Sequence, residues 1–254
     1  MIETTLSSAQ SANIQTDNTA RRKARFSEWI TKLPTGLMAV CFVVLTPLAW
    51  ALDSVRDQEI AQCLSGEMSS WGDGRDRPAI SSPLLFVYRH TDSPSWFDEP
   101  LVLSSLKKAT AAWSLCGVQS RVISGSVDLD SHAILVQWSE QGSRSNFGLA
   151  NLTERTLSLG PSAFQMLKTR NPGFDSRQTL QMVISHEMGH MFGVMSHSRR
   201  CVDVTSNYTN AKGETCSIRG GGKLQPGVEY RSVMPTACDI QRCKIANATS
   251  TRQQ

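Results

Sequence analysis

The chain has 254 residues, 40% apolar and 19% charged, with a formal net charge of +4. That is enough for one large domain or two small ones. The apolar fraction excludes a disordered chain, the 17 Gly and 10 Pro exclude a collagen-like filament, and no dense Lys/Arg stripe points to nucleic acid.

Residues 1–20 are polar and lack an apolar period. Arg21, Arg22, Lys23, Arg25 and Lys32 then precede an apolar run from Leu37 to Trp50, which closes on Ala49-Trp50-Ala51. A basic region, a short apolar core and a small-x-small end are the parts of a secretory signal. The run is shorter than the ~20 residues a spanning helix needs, and Pro47 lies near its end. Two outcomes stand: cleavage after Ala51, or retention as a membrane anchor. In both, the positive charge holds the N-terminus inside and sends the rest outward, to the periplasm or the exterior. The expected organisation is an export segment at 1–51, an arm at 52–82 and one domain at 83–254. Losing 1–51 removes five basic and three acidic residues, so the net charge falls from +4 to +2.

Of the 7 Cys, Cys41 lies in the apolar core of the signal. Cys63, Cys116, Cys201, Cys216, Cys238 and Cys243 remain, and an even number in an exported chain reads as three disulfides. Among the possible connectivities the local one is expected: Cys63–Cys116, Cys201–Cys216 and Cys238–Cys243.

Leu84–Arg89 (LLFVYR) reads as a strand. Glu99–Trp113 has apolar residues near a helical period, and Gly117 ends it. Val118–Val127 alternates and suggests a second strand. His132–Ser139 is apolar on both faces and is expected at the sheet centre. Leu149–Leu159 carries a hairpin-like pattern. Asp175 or Ser176 can then cap a helix, with Gln178 placed as in a capping box. Leu180, Val183, Ile184, Met188, Met191 and Phe192 form its apolar stripe, and Gly193 lies where a helix ends in a left-handed turn. The order strand, helix, strand, strand, helix reads as α/β.

That last helix contains His186-Glu187-Met188-Gly189-His190. Residues four apart lie on one helix face, so both imidazoles can reach one Zn²⁺. Glu187, beside the first of them, can take a proton from a zinc-activated water attacking a carbonyl. Only 5 His occur in the chain, which makes a chance H-E-x-x-H improbable.

The stretch from His186 to His197 resembles the metzincin clan of zinc endopeptidases, whose motif is H-E-x-x-H-x-x-G-x-x-H followed by a Met-turn. Gly193 is in register, but Ser196 holds the last position and His197 comes one residue late. His197 is taken as the third ligand, the loop after Gly193 absorbing the extra residue. Glu214 or Asp203 is the alternative, a downstream carboxylate ligand. Tyr230–Pro235 resembles the clan's Met-turn, with Met234 as an apolar floor beneath the metal. Thr236 stands where astacin-like members carry a Tyr, so no Tyr ligand is implied. The resemblance extends more weakly over roughly 84–245, with a substrate-binding edge strand near Gly148–Leu159. It implies a metzincin-like α+β fold: a mixed twisted sheet of about four or five strands, a long N-terminal helix, an active-site helix and an irregular C-terminal subdomain.

The expected function is a secreted zinc-dependent endopeptidase, a monomer cleaving protein or peptide substrates. One catalytic Zn²⁺ is expected on His186, His190 and His197, with Glu187 as general base. No residue pattern supports a structural Ca²⁺, and no membrane contact is expected once the signal is cleaved. The alternatives are an inactive peptide-binding module of the same fold, or an exported metal-binding protein without hydrolytic activity.

Overall fold

A computed structural model describes residues 55–125 and 132–248 of the chain. The expected export segment at 1–51 and the end of the strand expected to reach Val127 lie outside the described residues. Helix α1 (residues 55–61) opens an otherwise irregular arm. Then come β1 (Leu84–Arg89), α2 (Glu99–Trp113), β2 (Ser120–Ser124), β3 (Ala133–Trp138), α3 (Glu140–Ser143), β4 (Gly148–Asn151), β5 (Thr156–Leu159), α4 (Pro161–Arg170), α5 (Ser176–Met191) and α6 (Ala237–Ala248). The result is a mixed α/β fold with a five-stranded sheet in the order β2-β1-β3-β5-β4. Three of its pairings are parallel; only β4 runs antiparallel, against β5.

The central strands are apolar on both faces because both are covered. Leu84, Phe86, Val87 and Tyr88 of β1 are buried, as are Ile134, Val136 and Trp138 of β3. Asp98 caps α2 by accepting from the Leu101 N–H at 2.8 Å. Val102, Leu106, Ala109 and Trp113 form its buried stripe. The helix ends through a tight turn at Ser114–Cys116 into Gly117, whose φ of 97° suits a residue without Cβ.

Asp175 caps α5, accepting from the Arg177 and Gln178 N–H groups at 2.9 and 3.2 Å. From Thr179 to Met191 every residue of this helix except Gln181 is buried. Such a helix must be enclosed on all sides. On one side the Trp113 Nε1–H donates to the Ser185 carbonyl at 2.8 Å, and a Cβ on Gly189 would stand 2.7 Å from the Trp113 ring. On another side lies β4, where a Cβ on Gly148 would meet Val183 Cγ1 at 2.6 Å.

After α5 the chain reverses at Gly193, with φ 99°. The arm crosses there so closely that a Cβ would stand 2.0 Å from the Arg77 carbonyl oxygen. Residues 192–236 are irregular apart from a 3-10 turn at Arg219–Gly221, and are held by isolated bridges, including Ser70 to Ser198 and Ser198 to Ser206. Helices α4 and α6 were not expected from the sequence; both have weak apolar periods.

The disulfides are Cys63–Cys238, Cys116–Cys243 and Cys201–Cys216. Two of the three expected pairings, Cys63–Cys116 and Cys238–Cys243, are therefore corrected. Cys238 and Cys243 both lie on α6, where five residues turn through about 140° and point the two thiols apart. Each instead meets a distant element: Cys238 the arm, and Cys243 the turn after α2. Three disulfides are consistent with an oxidising compartment such as the cell exterior. No helix among the described residues is long and apolar enough to cross a membrane.

Candidate metal centre

Three histidines meet in the interior. The α5 spacing puts His186 and His190 on one face, and the Gly193 reversal brings His197 back across them. Their ring centroids form a near-equilateral triangle with sides of 5.2, 5.2 and 5.3 Å. The ligand atoms that the three can offer lie within 4.8 Å of one another.

The outer nitrogen of each ring is tied down. His186 Nδ1 lies 2.7 Å from the Val204 carbonyl oxygen, and His190 Nδ1 lies 2.8 Å from that of Val194. A carbonyl oxygen can only accept, so each Nδ1 carries the proton and each Nε2 keeps its lone pair. His197 Nδ1 lies 2.6 Å from Asp73 Oδ2. Hydrogen bonding of this kind at the outer nitrogen fixes both tautomer and ring orientation in metal-binding histidines.

The inner atoms are left over. His186 Nε2, His190 Nε2, His197 Nε2 and Glu187 Oε1 are buried without a hydrogen-bond partner among the described residues. Leaving four polar atoms unpaired in one interior spot is costly. A cation among the three nitrogens relieves most of that cost, and neutral imidazoles are suitable donors for zinc. The residues present therefore fit the metal.

Burial dominates the electrostatics. It holds the His186 imidazole well below its ordinary range, helped by His190 and His197, and it brings His190 down to about 3. Neutral rings are the form that binds metal. Burial pushes the Glu187 carboxyl up to about 8, against the opposing pull of the Ala150 N–H, which donates to Oε2 at 2.9 Å. Burial would also raise Asp73, but its hydrogen bonds from His197 and Ser196 outweigh that and hold it below the ordinary carboxylate range.

The remaining residues of the motif, the Met-turn and the alternative ligands make other contacts. Ser196 Oγ donates to Asp73 Oδ1 at 3.0 Å. Asp203 is buried in a separate network, accepting from Ser198, Arg200 and Thr236. Glu214 sits in an exposed turn and accepts from Asn210. Met234 Sδ lies 3.7 Å from Ser185 Oγ, one residue before the first histidine. The Tyr230 hydroxyl donates to Glu59 Oε2 at 2.7 Å.

Sequence reasoning missed Asp73, which reaches the site from a segment read only as an arm. No spacing rule links it to a histidine 124 positions away. The available signal was local: Asp73 stands between Gly72 and Gly74, and a Cβ on Gly74 would meet the Met195 carbonyl oxygen at 2.5 Å. Gly74 marks the close approach of two backbones, and Gly72, with φ 70°, the left-handed turn before it.

No family model matches the chain, and no curated protein matches it. Among solved structures it aligns with the GM1-bound form of the ECX AB5 holotoxin. The TM-score is 0.40 at 10% identity, over 74% of this chain and 92% of that one. A likeness that low carries no argument about function. The metzincin membership expected from the motif is corrected: no family model and no curated relative supports it. The chemistry of the site stands on its own residues.

Proposed function

We propose that the protein is an exported zinc-dependent peptidase. The observation that carries this reading is the convergence of three buried, unpaired Nε2 atoms beside the unpaired Oε1 of Glu187. Zinc held by His186, His190 and His197 would supply Lewis acidity, polarising a substrate carbonyl and acidifying a water.

The protein's own groups do the rest. Glu187 Oε2 is anchored on the Ala150 N–H, which leaves Oε1 free to take a proton from the attacking water. The same oxygen can pass that proton to the departing amine. Burial raises this carboxyl in the metal-free protein, and a zinc ion beside it would favour the carboxylate that accepts the proton. Strand β4 pairs only with β5 among the described strands and touches α5 at Glu187. Its free edge supports a peptide substrate laid alongside as an extended strand.

Glu187→Gln should keep zinc, measured by metal analysis, and lose cleavage of denatured casein by at least ~10²-fold. Undiminished cleavage by that variant would sink the reading. Zinc uptake by the wild type with no cleavage at all would favour a peptide-binding or metal-binding module instead.

A further inference from the structure

We propose that Asp73 is the positioning residue of the third metal ligand: its carboxylate selects the Nδ1–H form of His197 and leaves Nε2 bare. The inference rests on the zinc reading above. His186 and His190 take their orientation from backbone carbonyls, which no side-chain substitution removes. His197 takes its orientation from a side chain, and that side chain belongs to another segment.

The contact is made by both carboxylate oxygens. Oδ2 lies 2.6 Å from His197 Nδ1. Oδ1 accepts from the His197 backbone N–H at 2.9 Å and from the Ser196 hydroxyl at 3.0 Å. The arm carrying Asp73 is also fixed independently of it. Asp76 Oδ1 accepts from the Met195 and Ser196 N–H groups at 2.8 and 3.1 Å, and Arg242 grips the same carboxylate. The Trp71 N–H donates to the His197 carbonyl at 2.9 Å.

This arrangement makes the closest replacement the worst one. In Asp73→Asn the amide oxygen must stay where two donors point, so the NH₂ group faces His197 Nδ1. A donor there draws a lone pair to Nδ1 and sends the ring proton to Nε2, where it blocks the metal. In Asp73→Ala, water replaces the carboxylate and the ring can keep its proton on Nδ1. A residue that mattered only for shape would give the opposite order.

The test is zinc affinity of the disulfide-intact protein, measured by competition with a chromophoric chelator. Asp73→Asn should weaken zinc about 100-fold and Asp73→Ala about 10-fold, within the range for residues that orient a ligand. Asp76→Asn loosens the arm without touching a ring, and should cost less than either. An Asp73→Asn variant within twofold of wild type overturns the proposal. So does Asp73→Ala or Asp76→Asn at least as damaging as Asp73→Asn. Should the variants not fold, the imidazole ¹⁵N spectrum of the metal-free wild type decides: His197 protonated at Nδ1 is expected, and protonation at Nε2 overturns the proposal. Failure of the wild type to take up zinc would instead overturn the metal reading, and the same spectrum would still decide the role of Asp73.

Discussion

A Cβ on Gly148 would stand 2.7 Å from Glu187 Cγ. The edge strand β4 and the histidine-bearing helix α5 therefore touch at a distance that only glycine permits. Gly148→Ala should push β4 away from α5 and strain the Ala150 to Glu187 hydrogen bond. Overpacking of this kind costs about 1–3 kcal/mol. The expected variant keeps zinc, melts lower and cleaves more slowly. Wild-type melting and wild-type turnover together would refute the contact.

Trp113 joins the two long helices through its Nε1–H on the Ser185 carbonyl. Trp113→Phe keeps most of the ring but loses that bond, at a cost of about 1–2 kcal/mol. Thermal melting should fall by roughly 2–8 °C for a domain of this size. No change in melting would show that the bond contributes nothing.

Glu67 gives a dependence on pH. Its carboxylate grips Arg219 through two contacts of 2.7 Å, and this lowers its pKa to about 2. The folded value lies below the unfolded one of about 4.3. The stabilisation is therefore present above about pH 4.3 and is lost as pH falls through about 2. Glu67→Gln should be less stable than wild type at pH 7, by about 1 kcal/mol. The gap should close on acidification, as followed by urea midpoints. A gap that widens in acid would reverse the assignment.

The disulfide pattern can be read directly. Non-reducing peptide mapping should give Cys63–Cys238, Cys116–Cys243 and Cys201–Cys216. Recovery of a Cys238–Cys243 peptide would contradict the α6 geometry.

The sequence showed most where the pattern is local. β1 and α2 fall where their apolar runs place them, β3 is central, and α5 starts on Asp175 and ends before Gly193. The pairing of His186 and His190 on one helix face was legible for the same reason: two histidines four apart need only helix geometry. What escaped was long-range. Asp73 and His197, Asp76 and Arg242, and the two disulfides reaching α6 join segments that no period or spacing connects. Helix α6 escaped because its buried face is largely polar and cystine: Cys238, Asp239, Arg242 and Cys243. The clan assignment failed differently, since a short motif reports local chemistry and need not report ancestry.

The placement of α6 governs the order in which the protein can be completed. Cys238 follows Cys63 by 175 residues, and Cys243 follows Cys116 by 127. As the chain emerges from its N-terminal end, Cys63 and Cys116 are exposed to oxidation long before their proper mates exist. Any bond formed between these two must be undone by thiol exchange before the last helix can be stapled down. The arm bearing Asp73 is clasped to that helix, so the pocket closes only when synthesis is nearly over. Completion of the fold is thereby bound to thiol–disulfide exchange.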